Sequence, residues 1–352
     1  MKVVIIGVNG FIGHSLLARI LNTTDWEVFG TDLNSDRIQP WLNSSRFHFE
    51  QGDIRKCRNW VNHHVCIADV ALPLAACARP SEYIRDPIAI FELDFEENLG
   101  IVRECLRHDT RVIFPSTSEV YGMSRDMPFN EETSAFVFGP IAKQRWIYAS
   151  CKQLLDRLLW AYGEQGLQFT IFRPFNWFGP NLDNVDAPGH GSSRVVAQFL
   201  GHLLRRETIR LVEGGRQKRC FTYIDDGIDA LMRILAQRDE TTAGRIFNIG
   251  NPGAHVSIRD LAHTMIRVLS EFPGHTEIAQ NAAIQEISAT EYYGAGYQDT
   301  EDRVPDITNI RTALGWFPRV SLTEGLRRMT AFYLQDPAVA CSANSASARL
   351  SI

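Results

Sequence analysis

Nowhere in the 352 residues is there a C-x-x-C pair. The seven cysteines (Cys57, Cys66, Cys77, Cys105, Cys151, Cys220 and Cys341) are scattered and odd in number. That pattern disfavours a disulfide framework or a zinc site and fits free thiols in a reducing, cytoplasmic compartment. His63 and His64 are adjacent and point different ways, and no Asp, Glu or Cys set supplies metal spacing, so no metal is assigned. No apolar run approaches the roughly 20 residues that cross a bilayer, and no secretory segment precedes the first strand-like stretch, so no membrane partner is expected. Basic excess is missing too: 36 Lys and Arg stand against 41 Asp and Glu, a net charge of -5, which disfavours a nucleic-acid partner. No repeat of fixed period appears.

What is there is ordinary globular composition, 45% hydrophobic and 22% charged, with length for two or three compact units. Val3 to Ile6 is a continuous apolar run, the mark of a strand buried on both faces, and a helix-like stretch follows at Ser15 to Leu21. The alternation recurs with strands expected at 26–31, 47–49, 68–74, 111–115 and 167–172. That rhythm predicts an α/β, Rossmann-type parallel sheet covered by helices on both faces. Residues 1–175 read as the dinucleotide-binding unit, with 220–250 rejoining it. Residues 176–335 read as a smaller substrate domain, and 336–352, rich in Ala and Ser, as a disordered tail.

Gly7, Gly10 and Gly13 lie between the first strand and the first helix. There glycines permit a tight turn and let backbone N–H groups approach a pyrophosphate, although the same spacing also suits an ordinary strand–helix turn. Asp32 ends the second strand, where a carboxylate accepts hydrogen bonds from the adenosine ribose 2′-OH and repels a 2′-phosphate, so NAD is expected rather than NADP. Asp53 and Ile54, after the third strand, are placed to flank the adenine. Asn9, Phe11 and Ile12 within the glycine turn, and Leu74, Ala75 and Ala76 after the fourth strand, complete the expected cofactor site.

Ser116, Thr117, Ser118 and Glu119 close the strand ending at Pro115, at the carboxyl edge of the sheet where ligands gather in such folds. Tyr148 and Lys152 are four residues apart in a helical stretch and share a face. A lysine ammonium, with the positive nicotinamide ring close by, is expected to draw the phenol down from about 10 and make it a general base. Tyr-x-x-x-Lys is common on helices. Behind a strand-end threonine and a glycine-rich first turn it becomes specific.

Here the chain resembles the extended short-chain dehydrogenase/reductase family, whose members act on nucleotide sugars. More narrowly it resembles the UDP-glucuronic acid decarboxylases, in particular the dehydrogenase domain of the bifunctional aminoarabinose (polymyxin resistance) enzyme. The stretches carrying this are GVNGFIG at 7–13, FELDFEENL at 91–99, FPSTSEVYGM at 114–123, RWIYASCKQLLDRLLWAYGE at 145–164, FTIFRPFNWFGP at 169–180, GGRQKRCFTYIDDGI at 214–228 and YYGAGYQDTEDRVPD at 292–306. The formyltransferase half of that bifunctional protein does not occur in this sequence, so only the oxidative step is expected.

The resemblance implies Thr117, Tyr148 and Lys152 as the dehydrogenase triad, with Ser118, Glu119 and Arg303 acting on the sugar carboxylate. It implies Asn176, Arg194, Arg210, Arg219 and Tyr297 as contacts to the UDP portion, NAD as cofactor and a homodimer as the assembly. Oxidation at C4 makes the C6 carboxylate that of a β-keto acid, which loses CO2 readily; Glu119 or a water it holds is expected to return the proton. Read from its surroundings alone, Arg303 could equally be a surface ion pair among Glu301, Asp302 and Asp306. Ser118, where related dehydratases carry aspartate, favours decarboxylation over dehydration. Cys77 reads as a small buried hydrophobe, Arg79 replaces a threonine of the similar proteins, and 273–290 matches them poorly. The other readings are a UDP-sugar 4-epimerase or dehydratase of this fold, and a silent NAD-binding sensor.

Overall fold

The computed structural model describes residues 1–186, 193–237 and 239–334, so the tail expected at 336–352 lies outside the described residues. Seven parallel strands form the central sheet: β1 Lys2–Ile6, β2 Glu27–Asp32, β3 Phe47–Gln51, β4 Val70–Pro73, β5 Arg111–Pro115, β6 Phe169–Pro174 and a last strand Arg245–Ile249. Their order across the sheet is Arg245–Ile249, β6, β5, β4, β1, β2, β3. The strand order therefore reverses between β1 and β4, which opens a crevice at their carboxyl ends.

The expected strands are all present, with 111–115 as expected and the others within two residues at either end. Four of the five residues of β1 and all five of β5 are buried, which explains their unbroken apolar runs. The first helix, α1 Phe11–Thr23, starts four residues earlier than its periodicity suggests, because Gly10 already serves as its N-cap and Phe11 is buried. Leu16, Leu17 and Ile20 of α1 pack with Val3 and Ile5 on one face of the sheet. The other face is covered through Val61, Val65, Ile101, Val102, Leu155 and Leu159.

The remaining elements gather beyond the carboxyl edge. Trp177–Phe178 pairs with Thr222–Tyr223, Ile209–Val212 with Ile284–Ile287, and Lys218–Cys220 with His255–Ser257. Helix Ile224–Ala236 packs on α1, and Leu200, Leu261 and Leu326 join the same buried cluster as Val3 and Leu16. The sheet and the later elements thus share one continuous apolar core.

A buried polar chain runs behind the end of β5. Ser116 and Arg173 both donate to Asp156, Arg173 and Asn248 meet at the Tyr121 hydroxyl, and the Asn248 N–H donates to Glu131 at 2.7 Å. Side chains this polar are tolerated in a core only when partnered.

Candidate active site

A cleft of about 530 Å³ lies over the β1–β4 crevice, between the sheet edge and the later elements. Gly7, Gly10, Phe11, Ile12, Gly13, Leu74 and Ala76 line one end. Gly7 has φ +91°, and a Cβ there would stand 2.7 Å from the Ala75 nitrogen; a Cβ at Gly13 would collide with the Gly7 carbonyl oxygen. Only glycine lets the first turn lie this close to the loop after β4, and the approach leaves α1 aimed N-terminus first at the cleft. A dinucleotide pyrophosphate fits that cradle.

Asp32 ends β2 beside it. Its carboxylate accepts from the Asn9 and Leu33 N–H groups at 2.8 and 2.7 Å, while burial pushes its ionisation upward. Asn9 does not line the cleft; it fastens the glycine turn by donating to Asp36 and accepting from the Arg37 N–H. Asp53 and Ile54 are also away from the lining. Asp53 is paired with Arg55 at 2.7 Å, and Ile54 is buried in the core with Val4 and Phe29. Arg37, which sequence reasoning passed over, does line the cleft.

Thr117, Ser118, Glu119, Tyr148 and Lys152 meet in the middle of the cleft. β5 ends at Pro115, and Thr117 caps the short turn Ser118–Tyr121 by accepting from the Glu119 N–H at 3.2 Å. Helix Ile147–Gly163 presents Tyr148 and Lys152 on its buried face. The Tyr148 ring stacks on Tyr83 at 4.8 Å between centroids, nearly parallel. The expected downward pull on the phenol is not what the protein alone provides. Burial pushes Tyr148 well above its ordinary value, Asp94 and Glu119 push it further, and only weaker contributions such as the Thr117 hydrogen bond oppose them. Lys152 is engaged by Asp94, whose Oδ1 lies 3.7 Å from its Nζ.

Asn176, Arg194, Arg210, Arg219, Tyr297 and Arg303 line the far end. Asn176 adopts φ +40° and donates to the Cys220 carbonyl at 3.1 Å. Arg194 is tied to Asp183, and Arg219 to Asp299 at 2.6 Å. Of the basic residues at 216–219, Arg216 and Lys218 are exposed while Arg219 is buried against Asp299. Tyr297 stacks on Tyr293 with centroids 4.0 Å apart.

Arg303 is no surface ion pair. It is 4% exposed, donates to Thr300 at 2.8 Å and faces Glu119 at 3.4 Å. Burial and the nearby Arg219 and Arg145 charges lower its ionisation to about 10. Glu119 differs from expectation as well. Burial alone would raise its carboxyl, but the Arg145 and Arg303 guanidiniums hold it below the usual range. It is therefore an ionised acceptor at neutral pH, unsuited to supplying a proton itself. Arg145, Nη1 2.8 Å from Glu119 and 1% exposed, escaped the sequence reading; its signal was its place three residues before Tyr148, in the turn Gln144–Trp146 that leads into the helix. Cys77 is half-buried and lines the cleft, packed against Tyr83 and Tyr148, and Arg79 lines it nearby.

Residues 3–250 match the family described as the NAD dependent epimerase/dehydratase family. The crystal structure of PbgP3 protein from Burkholderia pseudomallei is 49% identical, with TM-score 0.85 over 97% of this chain and 98% of that one. UDP-glucuronic acid 4-epimerase from Bacillus cereus, crystallised with UDP-glucuronic acid and NAD, is 23% identical, with TM-score 0.78 over 95% and 99% of the two chains. The dTDP-glucose 4,6-dehydratase DesIV from Streptomyces venezuelae, solved with NAD bound, shares the fold at 22% identity and TM-score 0.80, covering 96% and 98%. The glycine cradle, the carboxylate ending β2 and the Thr117–Tyr148–Lys152 cluster agree with that family match, and the chain belongs to the NAD dependent epimerase/dehydratase family as an NAD-dependent enzyme.

Proposed function

We propose that the protein oxidises UDP-glucuronate at C4 and decarboxylates the product, giving UDP-4-keto-pentose, which is released or reduced in place to UDP-xylose. The observation that carries this is the charge at the far end of the cleft. Two buried guanidiniums, Arg145 and Arg303, face the single carboxylate of Glu119 beside Ser118, while Arg219 is paired with Asp299 and left to the UDP portion. One positive charge is left over in a desolvated site, and an acidic sugar supplies the missing anion where a neutral sugar does not.

In this reading Tyr148 takes the proton of the C4 hydroxyl as a phenolate, which requires the Lys152 ammonium and the nicotinamide charge of bound NAD to offset the upward push of burial. NAD, when bound, accepts the hydride. Ser118 and Arg303 hold the carboxylate in line with the new C4 ketone. The C5–C6 bond then breaks, CO2 leaves, and the electron pair enters an enolate that regains a proton at C5 from a water oriented by Glu119. Asn176, Arg194, Arg210, Arg219 and Tyr297 are proposed to hold the UDP portion, with residues 1–175 and 220–250 serving the dinucleotide and 176–335 mainly the sugar nucleotide. Leu154 and Trp160, 44% and 53% exposed on helix Ile147–Gly163, support a homodimer built across that helix. The six described cysteines are all free, in keeping with a cytoplasmic setting.

The test is incubation with UDP-glucuronate and NAD, following NADH absorbance and identifying products by mass spectrometry and proton NMR, with Tyr148→Phe as control. CO2 loss that needs Tyr148 supports the proposal. Epimerised UDP-sugar without CO2 loss, or NAD binding with no turnover, overturns it.

A further inference from the structure

Asp94 is a fully buried carboxylate to which the proposed chemistry assigns nothing. It sits in a π-helical turn, Glu92–Glu97, that interrupts the run into helix Asn98–Arg107. Such turns insert one residue into a helix and are frequent at functional sites. Here the insertion rotates Asp94 inward. The turn is pinned by the Asn98 amide, which donates to the Leu93 carbonyl at 3.0 Å and reaches the Asp94 and Ala75 carbonyls at 3.4 and 3.5 Å.

The two Asp94 oxygens face different parts of the site. Oδ2 accepts from the Cys77 N–H at 3.1 Å, in the loop after β4 that lines the cofactor end of the cleft. Oδ1 lies 3.7 Å from Lys152 Nζ, an ion pair at longer than hydrogen-bond range. Neither Oδ1 nor Nζ has a hydrogen-bonding protein partner among the described residues, and the lysine side chain is 1% exposed. An ammonium enclosed this way needs a compensating charge to persist.

We infer that Asp94 is the positioning residue that keeps Lys152 an ammonium and ties that charge to the cofactor loop. The other ionisable groups facing the pair do not replace it. Asp156, one turn along the same helix, is spent on Arg173 and Ser116. Tyr148, Cys151 and Cys77 are neutral groups held protonated chiefly by burial. Glu119 belongs to Arg145 and Arg303. Burial works against both members, drawing Lys152 down and Asp94 up to about 6, and each offsets the other's displacement. The inference extends the proposed dehydrogenase role of Lys152 but is independent of which sugar is oxidised.

The experiment therefore uses no substrate. Trace acetylation of the enzyme freed of NAD with acetic anhydride, which acylates a lysine only in its neutral form, is followed by peptide mass spectrometry from pH 6 to 10 at Lys152, part of the cleft lining. In Asp94→Asn the Lys152 midpoint falls by about one pH unit or more, so labelling below the midpoint rises about tenfold. Asp94→Glu, which keeps the charge, restores most of the wild-type profile. Asp94→Ser, small and still able to accept from the Cys77 N–H, repeats the shift if the asparagine variant fails to fold. A Lys152 midpoint unchanged in folded, NAD-binding Asp94→Asn or Asp94→Ser overturns the inference, whether or not UDP-glucuronate proves to be the substrate.

Discussion

Arg145 donates to Glu119 at 2.8 Å from a position 1% exposed, so the carboxylate expected to move a proton is instead fixed by a cation three residues ahead of Tyr148. Removing one member of a buried pair strands the other charge, at a cost of roughly 3–5 kcal/mol. Arg145→Met is expected to lower the melting temperature and to weaken UDP-glucuronate binding at least tenfold, because Glu119 then claims Arg303. Calorimetric titration and thermal melts check this. Arg145→Lys, which keeps the charge, recovers most of the stability; sugar binding unchanged in Arg145→Met would show that Arg303 acts alone.

The glycine cradle makes a sharper demand. A methyl at Gly13 presses on the Gly7 carbonyl and stands 2.8 Å from Val8 Cα. Gly13→Ala is expected to cost NAD affinity at least tenfold, read by quenching of protein fluorescence on titration with NAD. Wild-type affinity in a folded variant would mean that the turn relaxes without loss.

Asp32 and Arg37 are expected to act in opposite directions on cofactor choice. The carboxylate repels a 2′-phosphate, whereas a nearby arginine accommodates one. Asp32→Asn keeps the hydrogen-bond acceptor for the Asn9 N–H but removes the charge. The NAD-to-NADP affinity ratio is expected to fall at least tenfold, and Arg37→Ala in the same background should restore part of it. Dissociation constants for both dinucleotides decide the matter.

Glu131 gives a pH signature outside the cleft. Burial raises its carboxyl to about 7 in the folded chain, against about 4.3 for an exposed glutamate. Between those values the native state holds a proton that the unfolded chain has released, so stability falls as pH rises through the window and levels off above it. Glu131→Gln is expected to flatten that decline by on the order of 1–3 kcal/mol between pH 5 and 8. Urea melts at stepped pH measure it, and an identical slope in both proteins would exclude Glu131 as the source.

How much of this was legible in the sequence follows from where each signal is stored. The strands of the sheet are written as local apolar runs, so Val3 to Ile6 and Arg111 to Pro115 could be placed directly. The glycine cradle, Thr117 and the Tyr148–Lys152 pair are likewise short-range patterns. Arg303 was ambiguous because its burial depends on residues 299–305 folding back over Glu119, a contact across 184 positions. Asp94 and Arg145 were missed for a related reason: a charge in a helix reads as solvent-facing until a π turn or a packed neighbour turns it inward. For Asp53 and Ile54 the sequence shows only a place after a strand end, and the structure adds the Arg55 pair and the core contacts that hold them there.

The polar chain behind β5 also dictates an order of events during synthesis. Tyr121, four residues past Thr117, donates to Asn248, and Asn248 donates to the carbonyls of Phe129 and Asp306. A nascent chain that has emerged only as far as β6 already owns the glycine turn, Asp32, Tyr148 and Lys152. The floor beneath Thr117 and Glu119 is laid only when Asn248 and Asp306 arrive. Competence to act on a sugar thus waits for the last third of the chain.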